Sequence, residues 1–135
     1  MHSIEVPMTI PFHDVDVMEI TWHGHYVKYF EIARCALLDT IDYNYQQMKA
    51  SGYAWPVIDM HIRYPHPTTF GQNIIVCASI TEWENRLKVN YIIKDSATGK
   101  SLIRGHTIQV AVKYPEQEMC LESPKVLLEK MGIQS

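Results

Sequence analysis

The chain has 135 residues, a size at which one domain spanning 1–135 is expected, and its 47% hydrophobic and 20% charged content suits a folded protein with a sizeable core. A formal charge of -3 with twelve scattered Lys and Arg argues against nucleic acid as a main partner, because a phosphate backbone demands a basic surface. Cys35, Cys77 and Cys120 are too few and too far apart for a disulfide framework or a zinc pair, and the start MHSIEVPMTIPF has no basic, long-apolar leader, which together read as a cytoplasmic protein.

The first predicted element is a strand. Ile4, Val6, Met8, Ile10 and Phe12 alternate with polar residues and with Pro7 and Pro11, which lack an N–H and so favour a sheet edge. A dense run of Asp, His, Glu and Trp then breaks the period over residues 13–24. Beyond it Tyr26, Tyr29, Phe30, Ala33, Leu37 and Ile41 recur at helical spacing, predicting a helix of about 15 residues. A shorter helix is expected at 45–50, ending at Gly52.

The period then changes to two. Strands are expected at 58–64, stopped by Pro65 and Pro67, and at 73–82, 87–94 and 101–113, joined by connections short enough for a meander. Ser123 before Pro124 predicts a capped final helix at 125–131. The order strand, long helix, four strands is α+β, with the helix burying its apolar face on one side of an antiparallel sheet. No stretch approaches the 18 or so apolar residues needed for a transmembrane segment. Sheet edges left open in this layout favour pairing about a two-fold axis, hence a homodimer or homotetramer.

Chemistry concentrates in the loop before the long helix, where Asp14, Asp16, His23 and His25 precede the helix start. An acyl-transfer site needs a group that attacks or activates water, and donors for an oxyanion; unpaired N–H groups at a helix start are such donors. The positive end of the helix also favours an ionised carboxylate nearby.

The pattern F-x-D-x-D, six residues, H-x-x-Y-x-x-Y-F-E-x-A-R is carried by Phe12, Asp14, Asp16, His23, Tyr26, Tyr29, Phe30, Glu31, Ala33 and Arg34. It resembles the signature of the 4-hydroxybenzoyl-CoA thioesterase family, and is most similar to its bacterial acyl-CoA thioesterase branch associated with the Tol–Pal system. The stretch WPVIDMHIRY, residues 55–64, with Pro67 and Gly71, is similar to that family's second strand and turn. The resemblance implies a hotdog fold, in which a five-stranded antiparallel sheet wraps a long central helix and protomers pair with sites at their interface. It implies hydrolysis of an acyl-CoA or acyl carrier protein thioester without metal or other cofactor. Carried over, Asp16 is the catalytic carboxylate, attacking the thioester carbonyl or activating water. The backbone N–H at or beside His23 holds the oxyanion, the His23 side chain positions substrate or water, and Trp22, Gly24 and Tyr26 line the substrate site. Relatives usually carry a glycine between the aspartate and the histidine, whereas residues 17–22 have none and place Glu19 there.

Each assignment has a plainer rival. Asp14 and Asp16 could be Asx-turn residues, and Asp14 is read as scaffold. A His-x-His pair does not present both rings on one helix face, which disfavours a metal site, and His25 is read as a capping or solvent-facing residue. Glu31 and Arg34 can pair on the helix surface, Cys35 reads as a packed thiol, and Tyr26, Tyr29 and Phe30 as core or interface. Arg86, Lys88, Lys94, Lys100 and Arg104 are the phosphate-binding candidates, by charge only. A hotdog dehydratase would need a different His and Asp or Glu placement on the central helix. A non-catalytic module that binds acyl thioesters or a protein is the alternative supported by the glycine-free loop.

Overall fold

The computed structural model describes residues 2–133. In chain order it contains β1 (Ser3–Thr9), a single 3-10 turn (Phe12–Asp14), α1 (His25–Thr40), α2 (Tyr45–Ala50), β2 (Tyr53–Ala54), β3 (Val57–Arg63) and β4 (Asn73–Glu82). β5 (Leu87–Asp95), β6 (Ser101–Gln109), β7 (Val112–Lys113), β8 (Glu118–Met119) and α3 (Lys125–Lys130) follow. Five strands form one antiparallel sheet in the order β1-β4-β5-β6-β3, so β1, with Pro7, and β3 are its edges.

One face of this sheet and one face of α1 make the core. Tyr26, Tyr29, Phe30, Ala33, Leu37 and Leu38 of α1 are buried against alternate residues of the sheet, among them Ile74, Val76, Ala78, Val89, Tyr91 and Ile93. The period-2 alternation of β4 and β5 is what supplies that apolar face. Phe30 lies flat on Tyr91, ring centroids 4.3 Å apart. It fits because Gly105 of β6 is beneath it: a Cβ there would lie 2.7 Å from the Phe30 ring and collide with the His61 carbonyl.

Several expectations need correction. The strand expected over 101–113 ends at Gln109; Val110 and Ala111 turn into the core, and β7 joins a separate three-stranded sheet, β2-β7-β8. Arg34 is not a surface residue. It is 3% exposed, donates from Nε to the Tyr45 hydroxyl at 2.7 Å, and meets Glu31 only at 3.5 Å. Cys35 is exposed rather than packed, because it faces away from the sheet. Ser123 does not cap α3: Pro124 occupies the N-cap position, and the buried Ser123 hydroxyl has no hydrogen-bond partner.

Candidate active site

Residues 14–22 fold into a small hairpin. Trp22 N donates to Asp14 O at 3.1 Å, Val15 bridges Thr21, and Asp16 N donates to Ile20 O at 3.0 Å. Its returning arm is clamped from the other side, with Thr21 N on Thr68 O at 2.9 Å and Phe70 N on Glu19 O at 3.1 Å. Glu19 sits at the tip with φ 62°, the left-handed conformation that glycine adopts without strain. The glycine-free sequence therefore places a non-glycine residue, Glu19, in a conformation that strains it. Glu19→Gly is expected to raise stability by roughly 0.5–1 kcal/mol, measured by denaturant unfolding.

The two aspartates have opposite surroundings. Asp14 is 1% exposed, and its oxygens accept from Lys28 Nζ, both at 2.7 Å, and from the Tyr29 hydroxyl at 2.7 Å. His25 Nδ1 stands 3.7 Å away. His25, Lys28 and Tyr29 occupy positions i, i+3 and i+4 of α1, which is why three side chains converge on one carboxylate. Burial pushes the Asp14 carboxyl up, but the Lys28 and Tyr29 hydrogen bonds and the Lys28 and His25 charges outweigh it and hold it below the ordinary carboxylate value. Burial and the Asp14 charge together push the Tyr29 phenol up. Asp14 is thus a buried anion held by an ammonium and a phenol, an arrangement that suits a scaffold role.

Asp16 is exposed. Its Oδ1 accepts from Met18 N at 2.8 Å and Ile20 N at 3.4 Å, an Asx-type turn that fixes the carboxylate on the hairpin. Oδ2 accepts no hydrogen bond from the described residues, which leaves one oxygen ready for a substrate or water.

Beyond the hairpin an aromatic group marks the start of α1. The His23 ring stacks on Tyr64, centroids 5.4 Å apart and planes 5° from parallel, with Trp22 tilted against His23 at 5.3 Å and edge-on to His25 at 5.4 Å. Trp22 folds back over Gly24, and a Cβ on Gly24 would strike the Trp22 ring. Gly24 is also the N-cap of α1 and makes no side-chain cap, nor does His25, its first residue. His25 N and Tyr26 N are used in turns, on Trp22 O at 2.9 Å and His23 O at 3.2 Å. The backbone N–H groups of His23 and Gly24 donate to no backbone acceptor among the described residues.

The structure therefore groups Trp22, His23 and Gly24 on the surface and joins Asp16 to neither His23 nor Trp22 by a hydrogen bond. Tyr26 lies beneath them, 1% exposed, its hydroxyl accepting from Thr68 N at 3.1 Å. A cleft of about 610 Å³ opens beside Tyr64, lined by Arg63, Tyr64, Pro65, His66, Leu102 and Arg104. Sequence reasoning did not single out Tyr64 or Lys28. Tyr64 reads as one more residue of an alternating strand, but Lys28 could have been found from its spacing to His25.

The sheet, the single long helix packed on one face and the loop before it define a hotdog-fold protein. A model of the thioesterase-like superfamily matches residues 10–131, and the chain belongs to that superfamily. A Bacillus subtilis protein named "Putative acyl-CoA thioesterase YneP" is 29% identical over 91 residues, which span 67% of this chain and 65% of that relative's length. The crystal structure of Slr0204, a 1,4-dihydroxy-2-naphthoyl-CoA thioesterase from Synechocystis, superposes with a TM-score of 0.85 at 18% identity, covering 96% of both chains. A DHNA-CoA thioesterase from Staphylococcus aureus superposes with a TM-score of 0.80 at 20% identity, covering 90% of this chain and 81% of that one. Among the described residues no helix is long and apolar enough to cross a membrane.

Proposed function

We propose that the protein is an acyl-CoA thioesterase, and that Asp16 supplies its essential carboxylate. The observation that carries this is that the loop opening α1 holds both an exposed carboxylate oxygen, Asp16 Oδ2, and two amides, His23 N and Gly24 N, that have no hydrogen-bond partner among the described residues. Superfamily membership and the activities named for its relatives support the reaction class. The F-x-D-x-D and histidine spacing supports the narrower 4-hydroxybenzoyl-CoA thioesterase branch.

In the nucleophilic route Asp16 Oδ2 bonds to the thioester carbonyl carbon, the C–S bond breaks, and water then cleaves the mixed anhydride to acid and regenerated carboxylate. In the general-base route Asp16 takes a proton from water whose oxygen adds to the same carbon, the resulting oxyanion collapses with cleavage of the C–S bond, and the departing thiolate takes up the proton. Both routes pass through an oxyanion that the free His23 and Gly24 amides, beside the α1 N-terminus, would stabilise. The His23 ring, held by Tyr64, positions the thioester, with Trp22 and Gly24 beside it and Tyr26 supporting the loop from below.

The working unit is a homo-oligomer. β3 is an edge strand whose Val57 and Ile58, with Tyr64 just past its last residue, are 38%, 58% and 48% exposed. Antiparallel pairing of two copies of β3 closes that edge and sets the Val57 end of one strand against the Tyr64 end of the other. An aromatic pocket of about 230 Å³, lined by Tyr45, Met48, Tyr53, Trp55 and Tyr114, lies at the Val57 end. It thereby approaches the partner's reaction site as the place for the acyl group.

The non-catalytic alternative draws its support from the missing loop glycine, yet the hairpin closes without one, with Glu19 in the left-handed conformation. A thiol-release assay over short, long and aromatic acyl-CoAs tests the reading. Catalysed release is expected for at least one acyl class, and binding without release for all of them overturns it.

A further inference from the structure

We propose that the outer face of the sheet, where β3 meets β6, is a binding site for a multiply charged phosphate group. Two consecutive rungs there oppose like groups: His61 faces His106, and Arg63 faces Arg104. The two imidazoles stack with centroids 5.7 Å apart. Asn90 of β5 pairs with His106 in the next ladder and Lys88 lies one rung further on the same face, so donors continue across three strands. Together these side chains line a hollow of about 280 Å³.

The Arg63–Arg104 rung sets like charges directly opposite each other, which destabilises a sheet. Carboxylates would ordinarily relieve them, yet among the described residues none lies within 4.0 Å of His61, Arg63, Arg104 or His106. Asp59 is one rung away on β3, Glu82 is taken by Arg86 at 3.1 Å and approached by Lys88 at 3.7 Å, and Glu5 stands on the opposite edge strand. In a chain of net charge -3, Arg63 and Arg104 are thus set together with no carboxylate within 4.0 Å among the described residues, and Lys88 alone of the cluster approaches one. A phosphate supplies what is missing, because two guanidinium forks match its oxygens and imidazole N–H groups can add to them. These side chains stand perpendicular to the sheet, so pairing at the β3 edge leaves them open.

The phosphate has two sources of the same chemistry. Arg63 and Arg104 also line the 610 Å³ cleft that reaches Tyr64 and, through it, His23. A substrate's thiol carrier that bears phosphates could therefore reach the cluster, and so could a separate phosphorylated ligand. Assigning the first source rests on the thioesterase reading, whereas the site itself does not.

The test titrates the full chain with inorganic pyrophosphate at low salt. Saturable binding is expected, with affinity roughly tenfold weaker in Arg63→Gln/Arg104→Gln and unchanged in Lys113→Gln, a control away from the cluster. If the double variant does not fold, each single variant is expected to weaken binding about threefold. No saturable binding by the wild type, unchanged affinity in the arginine variants, or an equal loss in the control overturns the site. Kinetics then separate the sources. A higher KM for benzoyl-CoA but not for benzoyl-pantetheine assigns the phosphates to the substrate's carrier. Unchanged KM for both, with pyrophosphate binding lost, assigns the site to a separate ligand. Because the titration needs no turnover, an inactive protein that binds pyrophosphate still supports the site while overturning the reaction.

Discussion

Asp16→Asn is expected to lower kcat for thioester hydrolysis by roughly three orders of magnitude while leaving fold and assembly intact. The asparagine keeps a carbonyl oxygen where Oδ1 accepts from Met18 N and Ile20 N, so the hairpin turn survives. What disappears is the anionic Oδ2, the only part of the side chain that the hairpin does not use. A neutral amide can neither form the mixed anhydride nor take a proton from water, so both routes fail together. Asp16 is exposed, and no buried partner is orphaned by the change. Steady-state thiol release checks the loss, with circular dichroism and sedimentation as controls for fold and assembly. Near-normal turnover in a folded variant would remove Asp16 from the mechanism and leave only the loop amides as evidence for the site.

The long helix and the sheet were legible in the sequence because their physics is periodic. α1 has an apolar stripe every three or four residues, and β4 was bounded correctly by its alternation alone. What failed was everything decided by tertiary context. The segment 107–113 keeps alternating in sequence, but Thr107, Ile108, Gln109, Val110 and Ala111 are all buried, so the chain leaves the main sheet where no local signal marks it. Arg34 looked like half of a surface pair with Glu31 because the spacing permits it. The hydroxyls of Tyr45 and Tyr91, which take it inside, come from 11 and 57 residues away.

The site was legible in a different sense. Candidate residues for it could be proposed from a spaced pattern, but their surroundings could not. Asp14 and Asp16 are two residues apart and equal as chemistry, and only the fold makes one a buried counter-ion to Lys28 and the other an exposed group with a spare oxygen. The missing glycine likewise looked like a departure in the loop's path. The fold places Glu19 in a left-handed conformation at the hairpin tip, and the missing glycine is felt there as local strain.

Asp14→Asn is expected to destabilise the fold by about 2–3 kcal/mol, lowering Tm by roughly 10 °C. Asparagine can satisfy either the Tyr29 hydroxyl or Lys28, and it has no charge to offer the ammonium. Losing one partner of a fully buried pair costs about 3–5 kcal/mol, but the Lys28 side chain is 43% exposed, so water recovers part of that and the lower figure applies. The effect has a defined pH window. The folded carboxyl lies below its ordinary value of about 3.9, so its contribution is fully present above that pH and is lost as pH falls through the depressed folded value. Unfolding curves of wild type and Asp14→Asn should therefore differ most at neutral pH and converge in acid. A gap that persists undiminished well below pH 3 would show that the Lys28 and Tyr29 contacts do not depend on the Asp14 charge. Asp14 also joins the hairpin to the first turn of α1, so the variant is expected to loosen the amides of His23 and Gly24 and to lower kcat in a protein still folded at the assay temperature. Asp16→Asn by contrast is expected to lower turnover without loss of stability, and that division between the two aspartates would distinguish scaffold from chemistry in one experiment.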